Sequence, residues 1–166
     1  MTMTEERTCC FLSDKRIPLA ARKHALTWMR KTDVGSKAER EIKPLLELPV
    51  EERIRAALKA GHDGYFVLDD AGKVVNHAFF QINGNELHVY SVHTAKEHAR
   101  RGLATRTARE LIELVPKKFP GVRLLFLGGG GDPRVASIAR GLKTRPHSLS
   151  IKSREDIGSS CFELLR

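Results

Sequence analysis

A chain of 166 residues with 29 Lys and Arg against 20 Asp and Glu, a formal charge of +9, fits one domain over residues 1–166 with a two-layer core and points to anionic partners. Its three cysteines, Cys9 and Cys10 adjacent and Cys161 distant, have neither the pattern of a disulfide framework nor the paired spacing of a zinc site, which favours a reducing compartment and no structural zinc. No apolar run approaches the ~20 residues that span a bilayer, and residues 1–7 lack the charged and then apolar order of a secretory signal, so the expectation is a cytoplasmic protein with no membrane partner.

Residues 10–12 allow a short first strand. Leu19, Ala25, Leu26, Trp28 and Met29 recur at helical spacing, with Arg22, Lys23, Arg30 and Lys31 on other faces, so residues 19–31 predict a first helix. Trp28 and Met29 read there as core before substrate cage. Asp33, Gly35 and Ser36 make 32–37 a loop, and 37–48 predicts a short helix broken by Pro44. Pro49 precedes Glu51 and Glu52 in a first turn and Gly61 follows a last one, so 50–60 is a helix with both ends marked. Three strands follow. Residues 65–68 end at Asp69-Asp70-Ala71-Gly72, 73–82 end at Asn83-Gly84-Asn85, and 87–94 complete an antiparallel meander. A helix over 101–115, stopped by Pro116, leads to an apolar strand over 122–127; a helix of that length is a crossover, so the pairing becomes parallel. Gly128 to Gly131 form an elbow. Residues 133–142 predict a short helix, and 148–153 with 160–165 a closing hairpin in which Cys161 is a small buried apolar residue.

The stretch from Glu86 to Val115 carries the chemistry. In Ala99-Arg100-Arg101-Gly102-Leu103-Ala104-Thr105, Gly102 removes a side chain where a helix begins, so backbone N–H groups can approach an anion. The helix N-terminus adds its positive dipole end and unpaired donors. Arg100 and Arg101 contribute planar, two-pronged charges suited to phosphate. Behind them Leu103, Thr107, Ala108, Leu111, Ile112 and Val115 share one side of the helix, and Arg106, Arg109, Glu110 and Glu113 the other.

This turn resembles the signature of the GNAT family of N-acetyltransferases, Gln/Arg-x-x-Gly-x-Gly/Ala, which cradles the pyrophosphate of acetyl-coenzyme A. Here it reads Ala99-Arg100-Arg101-Gly102-Leu103-Ala104 and departs at Ala99, which lacks the family's side-chain contact. The order of elements is also that of the GNAT fold; the resemblance covers nearly the whole chain and is specific between Glu86 and Ala108. It implies an α/β (α+β) fold, a mixed, mostly antiparallel central sheet with helices on both faces. It implies acetyl-coenzyme A as co-substrate, held by the backbone of Val92, His93 and Thr94 and by Ala99, Arg100, Arg101, Gly102, Leu103, Ala104 and Thr105, with no metal. Arg134, Arg140, Lys143 and Arg145 are further candidates for the adenosine 3′-phosphate or for a nucleic acid.

Acetyl transfer needs a neutral amine, a polarised thioester carbonyl and a proton for the leaving thiolate. Strand alternation puts Glu86, His88 and Tyr90 on one face and Leu87, Val89 and Ser91 on the other. Relative to Gly102, His88 falls where histone acetyltransferases of the family carry a catalytic glutamate. An imidazole changes charge near neutral pH and suits a general base; Glu86 is the next candidate, and plain solvent exposure is the alternative for both. For the general acid, the family's tyrosine position falls on Ser137, which serves equally as a small helix-packing residue. Tyr65 and Tyr90, the only tyrosines, fall on strands and leave the acid open. The positive charge favours a macromolecular acceptor, a protein amine or an aminoacyl-tRNA, over a polyamine. The rival reading is a non-catalytic GNAT scaffold that docks on nucleic acid or an acidic protein, and the oligomeric state stays open, a homodimer included.

Overall fold

The computed structural model describes residues 7–31, 37–127, 137–138, 142, 151–154 and 159–163. In chain order the elements are β1 (Thr8–Phe11), α1 (Leu19–Lys31), α2 (Lys37–Ile42), a 3-10 turn (Lys43–Glu47), α3 (Val50–Lys59), β2 (His62–Leu68), β3 (Val74–Asn83), β4 (Glu86–Thr94), a second 3-10 turn (Lys96–His98), α4 (Leu103–Lys118), β5 (Leu124–Leu127), β6 (Ile151–Arg154) and β7 (Ser159–Glu163). Among the described residues the strands form one sheet of seven in the order β1-β2-β3-β4-β5-β7-β6. Only β4 and β5 pair in parallel; the other neighbours are antiparallel. The meander, the helical crossover and the closing hairpin are therefore those expected from the sequence.

Helices cover both faces. On one, α4 buries Leu103, Ala108, Leu111 and Val115 against Tyr65, Phe80, Leu87, Val89 and Leu125. On the other, Ala21 and Ala25 of α1 and Ile54 of α3 pack on Phe66, Leu68 and Phe79, while Met29, Ile42 and Ala57 close a smaller cluster beside them. Each leucine, isoleucine, valine, phenylalanine or methionine buried this way contributes roughly 1.5–3 kcal/mol, and each alanine less. The sheet is the shared wall of both cores, so a residue's parity along a strand decides which helices it meets. Among the described residues no helix is long and apolar enough to cross a membrane.

Three elements differ from expectation. β2 begins at His62, because Gly64 is held under the Phe79 ring, where an added Cβ would come within 2.8 Å of that ring. Asp63 meanwhile accepts N–H bonds from Ser13 and Gly64 at 3.1 and 2.7 Å. α4 starts at Leu103 and continues through Pro116 to Lys118. A proline in the last turn deletes a single N–H bond, while Val115 stays fully buried and its carbonyl accepts from Phe119 N–H at 2.8 Å. Finally, the pairing of β3 with β4 skips Tyr90: Phe80 faces Val89, but Phe79 faces Ser91. Residues beyond the skip change parity. Ser91 therefore does not share a face with Leu87 and Val89; Val92 does, packing on the α4-side core.

Of the expected loop at 32–37, residues 32–36 lie outside the described residues and Lys37 begins α2; the glycine elbow and residues 133–136 also lie outside them. Of the expected helix at 133–142, Ser137, Ile138 and Leu142 are described and helical, Ser137 exposed and the other two buried.

Candidate active site

Two backbone features mark the second half of β4, beyond its described pairing with β5. The parallel pairing runs from Glu86 opposite Leu124 to Val89 opposite Leu127. Past that point residues 90–94 keep β3 as a neighbour and, among the described residues, have no β5 partner. The register skip at Tyr90 falls just past the last of these pairs, where a bulge adds local twist to β4. Val92, His93 and Thr94, expected to supply backbone groups to the cofactor, lie in this segment and pair with Ala78, His77 and Asn76 of β3. Thr94 Oγ1 accepts a 2.7 Å bond from Asn76 Nδ2, which fixes the strand's end.

From there the chain turns through Lys96–His98 and enters α4. Gly102 is the N-cap residue, with φ 70° and ψ 14° and no side-chain cap; an added Cβ would meet nothing within 4 Å. Arg100 is also left-handed at φ 62°, a conformation that costs a non-glycine residue roughly 1–2 kcal/mol. Left-handed residues in a turn are the backbone form that gathers consecutive N–H groups into a concavity for anions. The first intrahelical bond runs from Arg106 N–H to Gly102 C=O at 3.0 Å, so the amides of Leu103, Ala104 and Thr105 are the helix's unpaired end donors. Ala99, Arg100, Arg101 and Gly102 are exposed, Ala104 and Thr105 half-buried, and Leu103 is buried in the α4-side core. The exposed turn and its charges could hold a diphosphate.

On the α1-side face, His88 and Glu86 meet as the alternation predicts. Their Nε2 and Oε2 atoms are 2.9 Å apart with both side chains about a third exposed, at 39% and 32%, and the His88 ring stacks on Phe126 of β5. Trp28 stacks on Phe79 at 3.8 Å, and Met29 is buried, so both belong to packing, as expected. Ser137 stands apart from this pair in the chain.

Beside Tyr90 and His93, which the sequence placed on β4, pack three histidines and a glutamate that it did not single out, His24, His62, His77 and Glu41. Tyr90 Oη lies 3.1 Å from Nδ1 of His62, and Glu41 Oε2 takes a 2.6 Å bond from Gln81 Nε2. His24 Nε2 and His77 Nδ1 are 2.7 Å apart, and His77 stacks on His93 with centroids 5.5 Å apart. Burial pushes His62 below the ordinary imidazole range, against the pull of the Glu41 carboxylate. His77 is driven down to about 3 by burial and then by His24 and His93. The missed signal was cross-strand register: His62 pairs with Gln81, and Gln81 with His88, which puts all three on one face.

The profile of the acetyltransferase (GNAT) family matches residues 23–139. No curated protein sequence gives a significant match. Among solved structures, the GNAT family N-acetyltransferase YhbS from Escherichia coli, in complex with CoA, superposes with a TM-score of 0.58 at 13% identity over 97% of this chain and 83% of that one. The spermidine/spermine N-acetyltransferase SpeG from Vibrio cholerae gives 0.58 at 9% identity over 96% and 93%. A GNAT family acetyltransferase from Staphylococcus aureus gives 0.54 at 10% over 95% and 100%. At such identities the likeness is one of fold.

Proposed function

The chain belongs to the acetyltransferase (GNAT) family, an acyltransferase family, and on that premise we propose that it moves the acetyl group of acetyl-coenzyme A to an amine by direct attack, without a covalent enzyme intermediate. The observation that carries this reading is the open, left-handed Gly102 at the head of α4, reached by a short turn from the end of β4. The amides of Leu103, Ala104 and Thr105 hold the diphosphate, Arg100 and Arg101 add charge, and the backbone of Val92, His93 and Thr94 receives the thioester arm. Donors fixed before the reaction cost no reorganisation when the carbonyl oxygen gains charge.

In this reading His88, backed by the Glu86 carboxylate, takes the proton that makes the incoming amine a nucleophile. Ser137 is the helix residue offered toward the leaving sulfur; a serine hydroxyl serves there by hydrogen bonding, since its own acidity is poor.

The acceptor we favour is a macromolecular amine, of a protein or an aminoacyl-tRNA, because a surface of +9 attracts polyanions and repels polycations. A small cationic amine, of the kind named for the Vibrio cholerae protein, is the second reading. The carboxylates of Glu41 and Glu86 on the face that carries His88 favour it. Incubation with labelled acetyl-coenzyme A and a panel of peptides, charged tRNA and small amines, followed by mass spectrometry, separates the two. Acetyl-coenzyme A that raises the melting temperature while no panel member is labelled would leave a binding scaffold instead.

A further inference from the structure

Glu41, His62 and Tyr90 are drawn from α2, β2 and β4 and meet on the face that carries His88. Tyr90 Oη and His62 Nδ1 are 3.1 Å apart. The other ring nitrogen, Nε2, faces Glu41 Oε2 at 3.6 Å, a gap that a small rotation of the glutamate closes. His62 is 3% exposed, whereas the Glu41 side chain is 39% exposed, so the line runs from Tyr90 on β4, through a buried imidazole, to a carboxylate in reach of water. A cavity with room for one water-sized molecule lies behind it, lined by Trp28, Met29, Ile42, His62, Asp63 and Tyr90.

The chemistry of the three groups fixes direction. An ionised carboxylate only accepts, so a neutral imidazole turned toward Glu41 carries its proton on Nε2 and leaves Nδ1 to accept from the phenol. That is a carboxylate orienting a histidine that receives from a hydroxyl, the logic of a catalytic triad. Glu41 is itself held by Gln81 Nε2 at 2.6 Å. Burial favours the neutral ring at rest, and the Glu41 charge favours the protonated one, so both states are accessible. The groups facing the ring are Glu41 from α2, Gln81 from β3 and Tyr90 from β4, with Asp63 adjacent on β2 and occupied by the N–H groups of Ser13 and Gly64.

We propose that Tyr90, His62 and Glu41 form a reversible proton relay that carries one proton from the attacking nitrogen to the departing sulfur. This rests on the acetyl-transfer reading above. As the C–N bond forms, the nitrogen's proton passes to Tyr90 Oη while the phenol's own proton passes to His62 Nδ1, giving an imidazolium beside the Glu41 carboxylate. As the C–S bond breaks, Nδ1 returns that proton to Oη and Oη gives one to the thiolate. One N–H is lost and one S–H gained, and the three side chains end as they began. Tyr90 is the catalytic residue of the relay; His62 and Glu41 position and charge it. His88 keeps the earlier task of neutralising the arriving ammonium, and the relay supplies the acid that Ser137 cannot.

The test uses the full chain, with ethylamine as acceptor and acetyl-coenzyme A as donor. Tyr90→Phe and His62→Asn should each lower kcat by about 100-fold, the usual reach of a positioned proton-transfer group, with donor affinity by calorimetry within about 3-fold of wild type. Glu41→Gln should move the acidic limb of the kcat profile to lower pH, because the imidazolium loses its counter-charge. A role in packing alone would weaken donor binding and rate together and leave the limb in place, and that result overturns the relay. Nitrogen-15 spectra of the imidazoles decide independently of turnover: protonated Nε2 and bare Nδ1 at His62 support it, and a proton on Nδ1 overturns it. Acetyl-coenzyme A bound by wild type without transfer to any amine would sink the parent reading; transfer by wild type that Tyr90→Phe leaves unchanged would sink the relay alone.

Discussion

His88 lies flat on Phe126, the ring centroids 4.5 Å apart and the planes 3° from parallel. The two residues are opposite each other in the parallel register of β4 and β5, one residue before the last described pair, Val89 and Leu127. An imidazole sandwiched this way has few rotamers left, and its Nε2 is further fixed by Glu86 at 2.9 Å. Orientation, more than exposure, is what a general base at this point requires.

His88→Ala should therefore lower kcat by about 100-fold while acetyl-coenzyme A binding, measured by calorimetry, stays within about 3-fold of wild type, because no donor-binding group is touched. Glu86→Gln should cost less, roughly 10-fold, since it leaves the ring stacked and removes only the charge behind it. A full rate in His88→Ala would take the base away from this histidine.

Arg100 and Gly102 share a left-handed backbone but should respond in opposite ways. Arg100→Gly relieves a strained φ of 62° and should leave the fold equal to wild type or more stable by up to about 1 kcal/mol, while weakening the donor and flattening the salt dependence of its binding. Gly102→Ala keeps every charge and meets no protein atom, yet forces Cβ into the left-handed region, at about 1 kcal/mol, or roughly 2–4 °C of melting temperature for a domain of this size. Its methyl group also intrudes on the cradle, so donor affinity should fall as well. Thermal melts with and without acetyl-coenzyme A separate the strain from the binding. If both variants kept the wild-type ligand shift, the turn would not be the phosphate site.

The parts of the site written in local chemistry were legible in the sequence. The turns at Asp69–Gly72 and Asn83–Asn85, the glycine ahead of α4 and the 3.6-residue stripe along it are each encoded within a few neighbours, so the meander, the crossover and the cradle could be read directly. What could not be read depends on pairing. The skip at Tyr90 puts Val89 and Val92, three residues apart, on the same core, which the plain alternation of β4 cannot show. His62 was hidden for a related reason: His62-Asp63-Gly64 has the composition of a turn, and only the Phe79 ring above Gly64 makes it a strand. Pro116 shows a local rule outweighed by the burial of Val115.

The same Gly64 gives a stability prediction. Gly64→Ala would set a methyl group 2.8 Å from the Phe79 ring and 3.1 Å from the Phe66 ring, in a strand with neighbours on both sides. Overpacking of this kind costs about 1–3 kcal/mol. Phe79 is also the platform for Trp28, so the strain should appear as a change in tryptophan fluorescence along with a lower urea midpoint. An unchanged midpoint would mean that the two rings can move aside without cost.

Acid should weaken the fold through His77. The ring is 5% exposed, and burial together with His24 and His93 holds it down at about 3, whereas a histidine in the unfolded chain takes its proton near 6.5. Between those values the unfolded state binds a proton that the folded state refuses, so stability is complete above about pH 6.5 and falls as the pH drops toward 3, with a limiting slope of about 1.4 kcal/mol per unit for one such group. His24 and His62 are lowered in the same direction, in both cases first by burial, and steepen the loss. Urea midpoints measured from pH 7.5 to 4.5 should decline in wild type and decline less steeply in His77→Gln, whose amide keeps a partner for His24 without a titrating ring. Parallel slopes for the two proteins would show that His77 is protonated in the folded state and that the acid sensitivity lies elsewhere.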